Sequence, residues 1–291
     1  MNRKTIYLVL PVLVAITIIL FHPTNSSNKM DIEIIKQINV ISQSNIYFGH
    51  KSVGQNIIAG MNKIIKVTGQ NGLKIEELSD SIKYNQNYFL HSNIGENGYP
   101  KGKFREFSKI VNDLERKNLD IAMMKLCFVD ITEKTDISDI FQSYTAMIDS
   151  LRNKYPALVI IHFTVPLKSE PDWINNLKNI IKRRTDNDVK DNLARNKYNE
   201  LLLKKYSNED IFDIANIEST YPDGKREIVT VDDKQCYSLI KNYTYDGGHL
   251  NEKGQELVAE KLINKIYERI KFNKVNINHD MYSSEIKSPL K

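Results

Sequence analysis

The sequence predicts an α/β fold, a three-layer α/β/α sandwich around a mostly parallel central sheet. Three observations predict it. Strand-like and helical segments alternate along the chain. Two strand-like segments, 119–128 and 157–165, are near-continuous apolar runs of the kind buried on both faces of a sheet. A helical segment between strands repeats apolar residues at helical spacing, as in Ile57, Ile58, Met61, Ile64 and Ile65. The chain has 291 residues, enough for one sizeable domain, and shows no internal repeat or second domain boundary. Its 41% hydrophobic and 26% charged content is ordinary for a globular protein, so most of the chain is expected to fold around a core.

At the N-terminus, Arg3 and Lys4 precede an apolar run from Thr5 to Phe21 that only Pro11 interrupts. The run is long enough to cross a bilayer, and no small-x-small cleavage site or lipid-attachment cysteine follows it. Residues 1–29 are therefore expected to form an uncleaved signal-anchor with its linker, the membrane being a partner through this segment. The basic end stays in the cytoplasm and the rest lies outside it, held at a bacterial cell membrane. A cleaved signal, giving a secreted or periplasmic protein, is the alternative.

Residues 30–272 are expected to form the α/β domain. A helix at 31–40 leads to a short strand, Ile46–Gly49, and a helix over 53–67 follows, which leaves His50, Lys51 and Ser52 in a strand-to-helix turn. Residues 73–78 read as a second strand. The stretch 85–102, rich in Asn, Gly and Tyr, reads as a long functional loop. A helix at 103–117, the strand at 119–128, a helix at 138–155 and the strand at 157–165 come next. A helical insertion at 168–184 holds Trp173, the single tryptophan. Then come a helix at 189–206, a short strand at 210–215, an irregular segment at 219–240 and a terminal helix at 251–271. The tail, 273–291, is polar and expected to be loose.

The net charge of +5 does not gather into a basic stripe interleaved with aromatics, so no nucleic-acid partner is expected. Cys127 and Cys236 lack metal-like spacing, and either form one disulfide or remain two buried thiols. No HxH or HExxH spacing is present, and neither a metal nor a cofactor is expected.

Parallel sheets of this kind bind ligands beyond the carboxyl ends of their strands, and two candidate sites fall there. Asp246 stands three residues before His249, with Gly247 and Gly248 between. That spacing lets the carboxylate hold one ring nitrogen and leave the other free as a base. Asp246 and Asn251 also suit turn and helix-cap roles, which are compatible with that chemistry. Ser52, at the start of a helix, is either a nucleophile or a capping serine. A serine on the first βα turn and a histidine before the last helix would converge at one sheet edge.

With these residues the sequence resembles the SGNH (GDSL-like) hydrolase superfamily over roughly residues 45–271. Phe48 to Gly54 stands for the family's serine block, Asn93 to Gly98 for its second block, and Asp120 to Asp130 has the spacing of its third. Phe163 to Pro166 and Asn192 to Asn199 resemble the next strand end and the helix after it. The resemblance implies a Ser52–His249–Asp246 triad, with the Ser52 and Gly95 N–H groups in the oxyanion hole and Gly54, Asn97 and Lys51 as further oxyanion or substrate contacts. The sequence departs from the family at Val129, which stands where the family's oxyanion-binding Asn is found. His50 and Lys51 also stand where an acidic residue usually precedes the serine. The missing donor is absent, or is supplied by Asn97, Lys51 or Lys125.

The resemblance implies a serine esterase acting on a small-molecule or carbohydrate ester, and the expected location points to an O-acylated carbohydrate. The alternatives are a polysaccharide O-acyltransferase, a binding or assembly domain that has lost the chemistry, and a metal-dependent phosphoesterase. His50 and His91 are expected in loops near the site. Lys125 is a minor candidate base for Ser52. His162 is expected to be a satisfied core residue and Cys127 an inert thiol. Tyr84, Tyr88, Phe89, Tyr99 and Trp173 either line a groove or pin loops.

Overall fold

The computed structural model describes residues 25–79, 87–116, 118–170, 188–231 and 233–285. The expected membrane anchor, Tyr84 and Trp173 lie outside the described residues. Among those described, no helix is long and apolar enough to cross a membrane.

Helix α1 (Asn25–Ile41) leads into β1 (Ile46–His50), α2 (Val53–Val67) and the short β2 (Ile75–Glu77). Next come β3 (Phe89–Asn93), α3 (Pro100–Glu115), β4 (Ile121–Met124), α4 (Ile137–Lys154) and β5 (Val159–Phe163). The chain then forms α5 (Asp188–Lys205), β6 (Ile211–Phe212), α6 (Ile214–Ser219), β7 (Ile228–Val231), β8 (Lys234–Tyr237) and α7 (Glu252–Glu285). Six strands make one sheet in the order β2-β3-β1-β4-β5-β6, every pair parallel.

Alternation along each strand sends side chains to opposite faces. Phe48 of β1 joins Met123, Ile161 and Phe212 under the apolar faces of α1, α2 and α7. Its neighbour Tyr47 joins Leu90, Met124 and Ile160 under α3, α4 and α5. All five residues of β1 are buried, as a central strand covered on both sides requires. The fold is the expected three-layer α/β/α sandwich with a parallel central sheet.

The chain leaves β1 for the β2–β3 side and later crosses to β4 on the other side. The loops after β1 and β4 therefore part and open a crevice at their carboxyl ends. Ser52 lies on the first of these loops and the turn Cys127–Asp130 on the second.

Four expectations are corrected. The stretch 85–102 is not one loop, because β3 runs through it next to β1. The segment 219–240 contains an antiparallel hairpin, β7–β8. Helix α1 starts at Asn25, inside the expected linker. Helix α7 continues through the expected loose tail to Glu285. No Gly or Pro lies between Gly254 and Pro289 to stop it. Cys127 and Cys236 are both buried and free, which decides between the two readings of this pair.

Candidate active site

Ser52 sits between β1 and α2 with φ 55° and ψ −112°, a backbone conformation that side chains rarely adopt. A serine heading a helix ordinarily accepts a capping hydrogen bond through its hydroxyl. Ser52 makes none. Its Oγ lies 2.6 Å from His249 Nε2 instead. The sharp turn thus aims the hydroxyl out of the helix and across the crevice.

His249 belongs to the loop before α7, and the loop is built to hold its ring. Asp246 Oδ2 lies 2.6 Å from His249 Nδ1, while Asp246 Oδ1 accepts the His249 N–H at 2.7 Å and the Gly248 N–H at 2.9 Å. Burial alone would raise the Asp246 pKa, but the hydrogen bonds from His249 and Gly248 outweigh it and hold the carboxyl below its ordinary value. Asp246 is therefore ionised at neutral pH and takes the Nδ1 proton as an acceptor, which leaves Nε2 facing Ser52 as the unprotonated nitrogen.

Neighbouring groups fix the loop from several sides. Thr244 Oγ1 donates to the His249 carbonyl at 2.6 Å and accepts the Gly247 N–H at 3.0 Å. Asn56, one turn past Ser52 on α2, accepts the Leu250 N–H at 3.1 Å and so ties the serine's helix to the histidine's loop. Ser169, beyond β5, donates its N–H to the Gly247 carbonyl at 2.9 Å. Asn251 caps α7 by accepting the Gly254 N–H at 3.1 Å, so the capping role and the histidine site coexist. The Phe128 ring meets the imidazole edge-on, and Tyr245, 67% exposed, lies nearly parallel to it at 6.0 Å. The sequence marked Asn251 as a cap and placed Phe128 and Tyr245 on loops at the carboxyl ends of the strands, but Thr244 and Asn56 carried no local signal that pointed to this site.

The other expected contacts have hydrogen-bond partners of their own. The Gly54 N–H donates to the Lys51 carbonyl at 3.0 Å, and the Gly95 N–H donates to Glu106 Oε2 at 2.7 Å. Neither N–H is offered to the crevice as expected. Gly54 answers a packing need instead, since a Cβ there would lie 2.3 Å from His50 Cβ. Asn97 Oδ1 accepts from Lys103 Nζ at 3.0 Å. The Lys51 carbonyl also accepts from Cys127 Sγ at 3.5 Å. Lys125 is fully buried and donates to the Leu126 carbonyl at 2.9 Å, with burial lowering its pKa; it is His249 that touches Ser52.

His50 and His91 are strand residues, not loop residues. Their rings pair, Nε2 to Nδ1, at 3.1 Å in the interior. Among the described residues, no three His, Cys, Asp or Glu side chains converge as a metal site would require. Tyr88 and Phe89 are buried in the core, and Tyr99 is exposed under the Arg105 guanidinium.

No family model matches this sequence, and no curated protein sequence matches it. Several solved structures are similar to it. One is described as a candidate platelet activating factor from Streptococcus pneumonia, with 16% identity, coverage of 81% of this chain and 91% of that one, and TM-score 0.40. Another, a candidate lipolytic protein of the G-D-S-L family from Desulfitobacterium hafniense, has 9% identity, coverage of 77% and 99%, and TM-score 0.40. A third is the periplasmic domain of a lipopolysaccharide acetyltransferase from Salmonella ser. Paratyphi A, with 13% identity, coverage of 84% and 97%, and TM-score 0.42. At these identities and scores the likeness decides nothing about chemistry, which has to come from the site itself.

Proposed function

We propose that this chain is an extracytoplasmic serine esterase of SGNH type that removes acyl groups from O-acylated carbohydrate. The observation that carries the reading is the unbroken chain from Ser52 Oγ through the His249 ring to Asp246, with both links at 2.6 Å. In this reading Ser52 Oγ attacks the ester carbonyl as His249 Nε2 takes its proton. His249 returns that proton to the departing alkoxide, leaving an acyl group on Ser52. Water, deprotonated by His249, then releases the acid. Asp246 stabilises the imidazolium at each stage without itself being protonated. A sugar hydroxyl in place of water would make the same site an acyltransferase.

The location rests on the N-terminal apolar run, and the carbohydrate preference on that location. Tyr245, exposed beside His249, offers a flat face on which a sugar ring can rest. A fluorophosphonate probe is expected to modify the purified protein at Ser52, located by peptide mass mapping. Acetylated sugars should be turned over by the same preparation. No labelling and no turnover would sink the esterase reading.

A second reading, a binding domain that has lost the chemistry, is favoured by two observations. Residue 129 is Val, and the Gly95 N–H is already taken by Glu106. The labelling experiment separates the two, since a pure binding domain should not react at Ser52.

The loop geometry gives a further prediction. A Cβ on Gly248 would fall 2.8 Å from Lys168 Cδ and 2.9 Å from the Phe128 ring, which itself braces His249. Gly248→Ala is expected to shift the imidazole and lower kcat by up to about 100-fold, as displacements near 1 Å do. The melting temperature should stay close to wild type. Unchanged kcat would show that the loop absorbs the methyl group without moving His249.

A further inference from the structure

An acyl-transfer site needs hydrogen-bond donors aimed at the oxygen on which charge develops. Here Val129 has no polar side chain, and the Gly95 and Gly54 N–H groups are committed to Glu106 and Lys51. We propose that the Asn97 side-chain amide supplies the missing donor through Nδ2, with Lys103 and Asp130 as its positioning residues. The proposal stands on the serine-esterase reading and completes its oxyanion site.

Orientation is the first argument. Lys103 Nζ carries hydrogens and no acceptor, so the Asn97 atom facing it at 3.0 Å has to be the oxygen. That assignment leaves Nδ2 as the branch not bonded to the buried lysine, on a residue that is itself exposed. The lysine charge on the carbonyl end polarises the amide and makes its N–H groups stronger donors.

Placement is the second. Ile94, three residues before Asn97, donates its N–H to the His50 carbonyl at 3.0 Å, two residues from Ser52. On the other side of Asn97, the Gly98 N–H donates to Asp130 Oδ1 at 2.8 Å. Asp130 Oδ2 accepts the Cys127 N–H at 2.6 Å, and Cys127 in turn touches the Lys51 carbonyl. Asn97 is thus held between an anchor at the end of β1 and an anchor at the turn that abuts the residue before Ser52.

Rigidity is the third. The Lys103–Asp130 pair is 2.5 Å long and both side chains are fully buried. Buried ion pairs contribute little net stability, and fixing geometry is among their attested uses. This one sits under a surface loop and grips it through both Asn97 and Gly98.

The test compares kcat and KM of the full-length protein and its Ser52→Ala, Asn97→Ala and Asn97→Asp variants on an aryl acetate and an acetylated sugar. Asn97→Ala and the near-isosteric Asn97→Asp should each lower kcat by about 100- to 1,000-fold with KM little changed. Either variant keeping wild-type kcat, while Ser52→Ala is inactive, would overturn the proposal and leave the esterase reading standing. Ser52→Ala as active as wild type would instead remove that reading, and this one with it. For the positioning pair, Lys103→Met is combined with Asp130→Asn so that no buried charge is left alone. That double variant should lower kcat, and adding Asn97→Ala should lower it no further, because the residues act as one unit. Additive losses would show that Lys103 and Asp130 serve the fold alone.

Discussion

Ser52→Ala is expected to lower kcat by at least about 10,000-fold, the loss typical of removing a triad nucleophile. Ser52→Gly should lose as much activity and yet unfold at a higher temperature than wild type. The reason lies in the backbone. Ser52 holds φ 55°, where a Cβ crowds the chain, and such strain is of order 1–3 kcal/mol. Glycine relieves it but gives back about 0.5–1 kcal/mol through its freer unfolded chain. A net gain near 1 kcal/mol is expected, or about 2–4 °C in melting temperature for a domain of this size. Alanine keeps the Cβ and should show no such gain. The pair of variants therefore separates lost chemistry from relieved strain, with activity and thermal unfolding measured on the same samples. If Ser52→Gly melts at or below the wild-type temperature, the turn stores no strain.

That Ser52 and His249 share one sheet edge was legible because the signals are local. A strand ending at a serine turn, an Asp three residues before a His, and a following helix each leave a mark in a few residues, and parallel topology brings their loops together. Strand β3 was hidden for the opposite reason. Only Phe89 and Leu90 are apolar in it, while His91 and Ser92 read as loop. Their polar groups tolerate the sheet because each finds a partner on β1: His91 pairs with His50 at 3.1 Å and Ser92 with the Tyr47 hydroxyl at 2.8 Å. Partners across 41 and 45 residues of sequence leave no local trace. The roles of Gly95 and Lys103 were hidden in the same way. The acceptor for the Gly95 N–H sits two turns into α3, and a lysine on a mixed-polarity helix gives no sign that it is fully buried.

Buried histidines lead to the second large effect, a loss of stability in acid. Burial, reinforced by the neighbouring His91 and Lys125, lowers the His50 pKa to about 3. Burial and the Arg152 charge lower that of His162 to about 3 as well. The bonding around His162 agrees. Arg152 donates to Nε2 at 3.2 Å, so the single proton of the neutral ring sits on Nδ1, 2.7 Å from the Tyr144 hydroxyl. Unfolded histidines titrate near 6.5, so between about pH 6.5 and 3 the unfolded chain binds more protons and stability falls as the pH falls. Glu218 works in the other direction. Burial pushes its pKa up to about 8, so its contribution grows as the pH drops from 8 and is complete below the unfolded value near 4.5. Burial also lowers His91 and raises Glu115, so three histidines stand against two carboxyls, a net loss runs from 6.5 to 4.5, and below 4.5 the histidines act unopposed. At about 1.4 kcal/mol per proton per pH unit, the total is on the order of several kcal/mol, comparable to the whole stability of a typical domain. Urea unfolding measured from pH 7 to pH 3 should show the steepest decline below about pH 4.5. His162→Gln keeps an acceptor for Arg152 and a donor for Tyr144 but removes one titration, so it should make that slope measurably shallower. An unchanged slope would mean that the acid sensitivity arises elsewhere and that His162 does not enter the folded interior as a neutral ring.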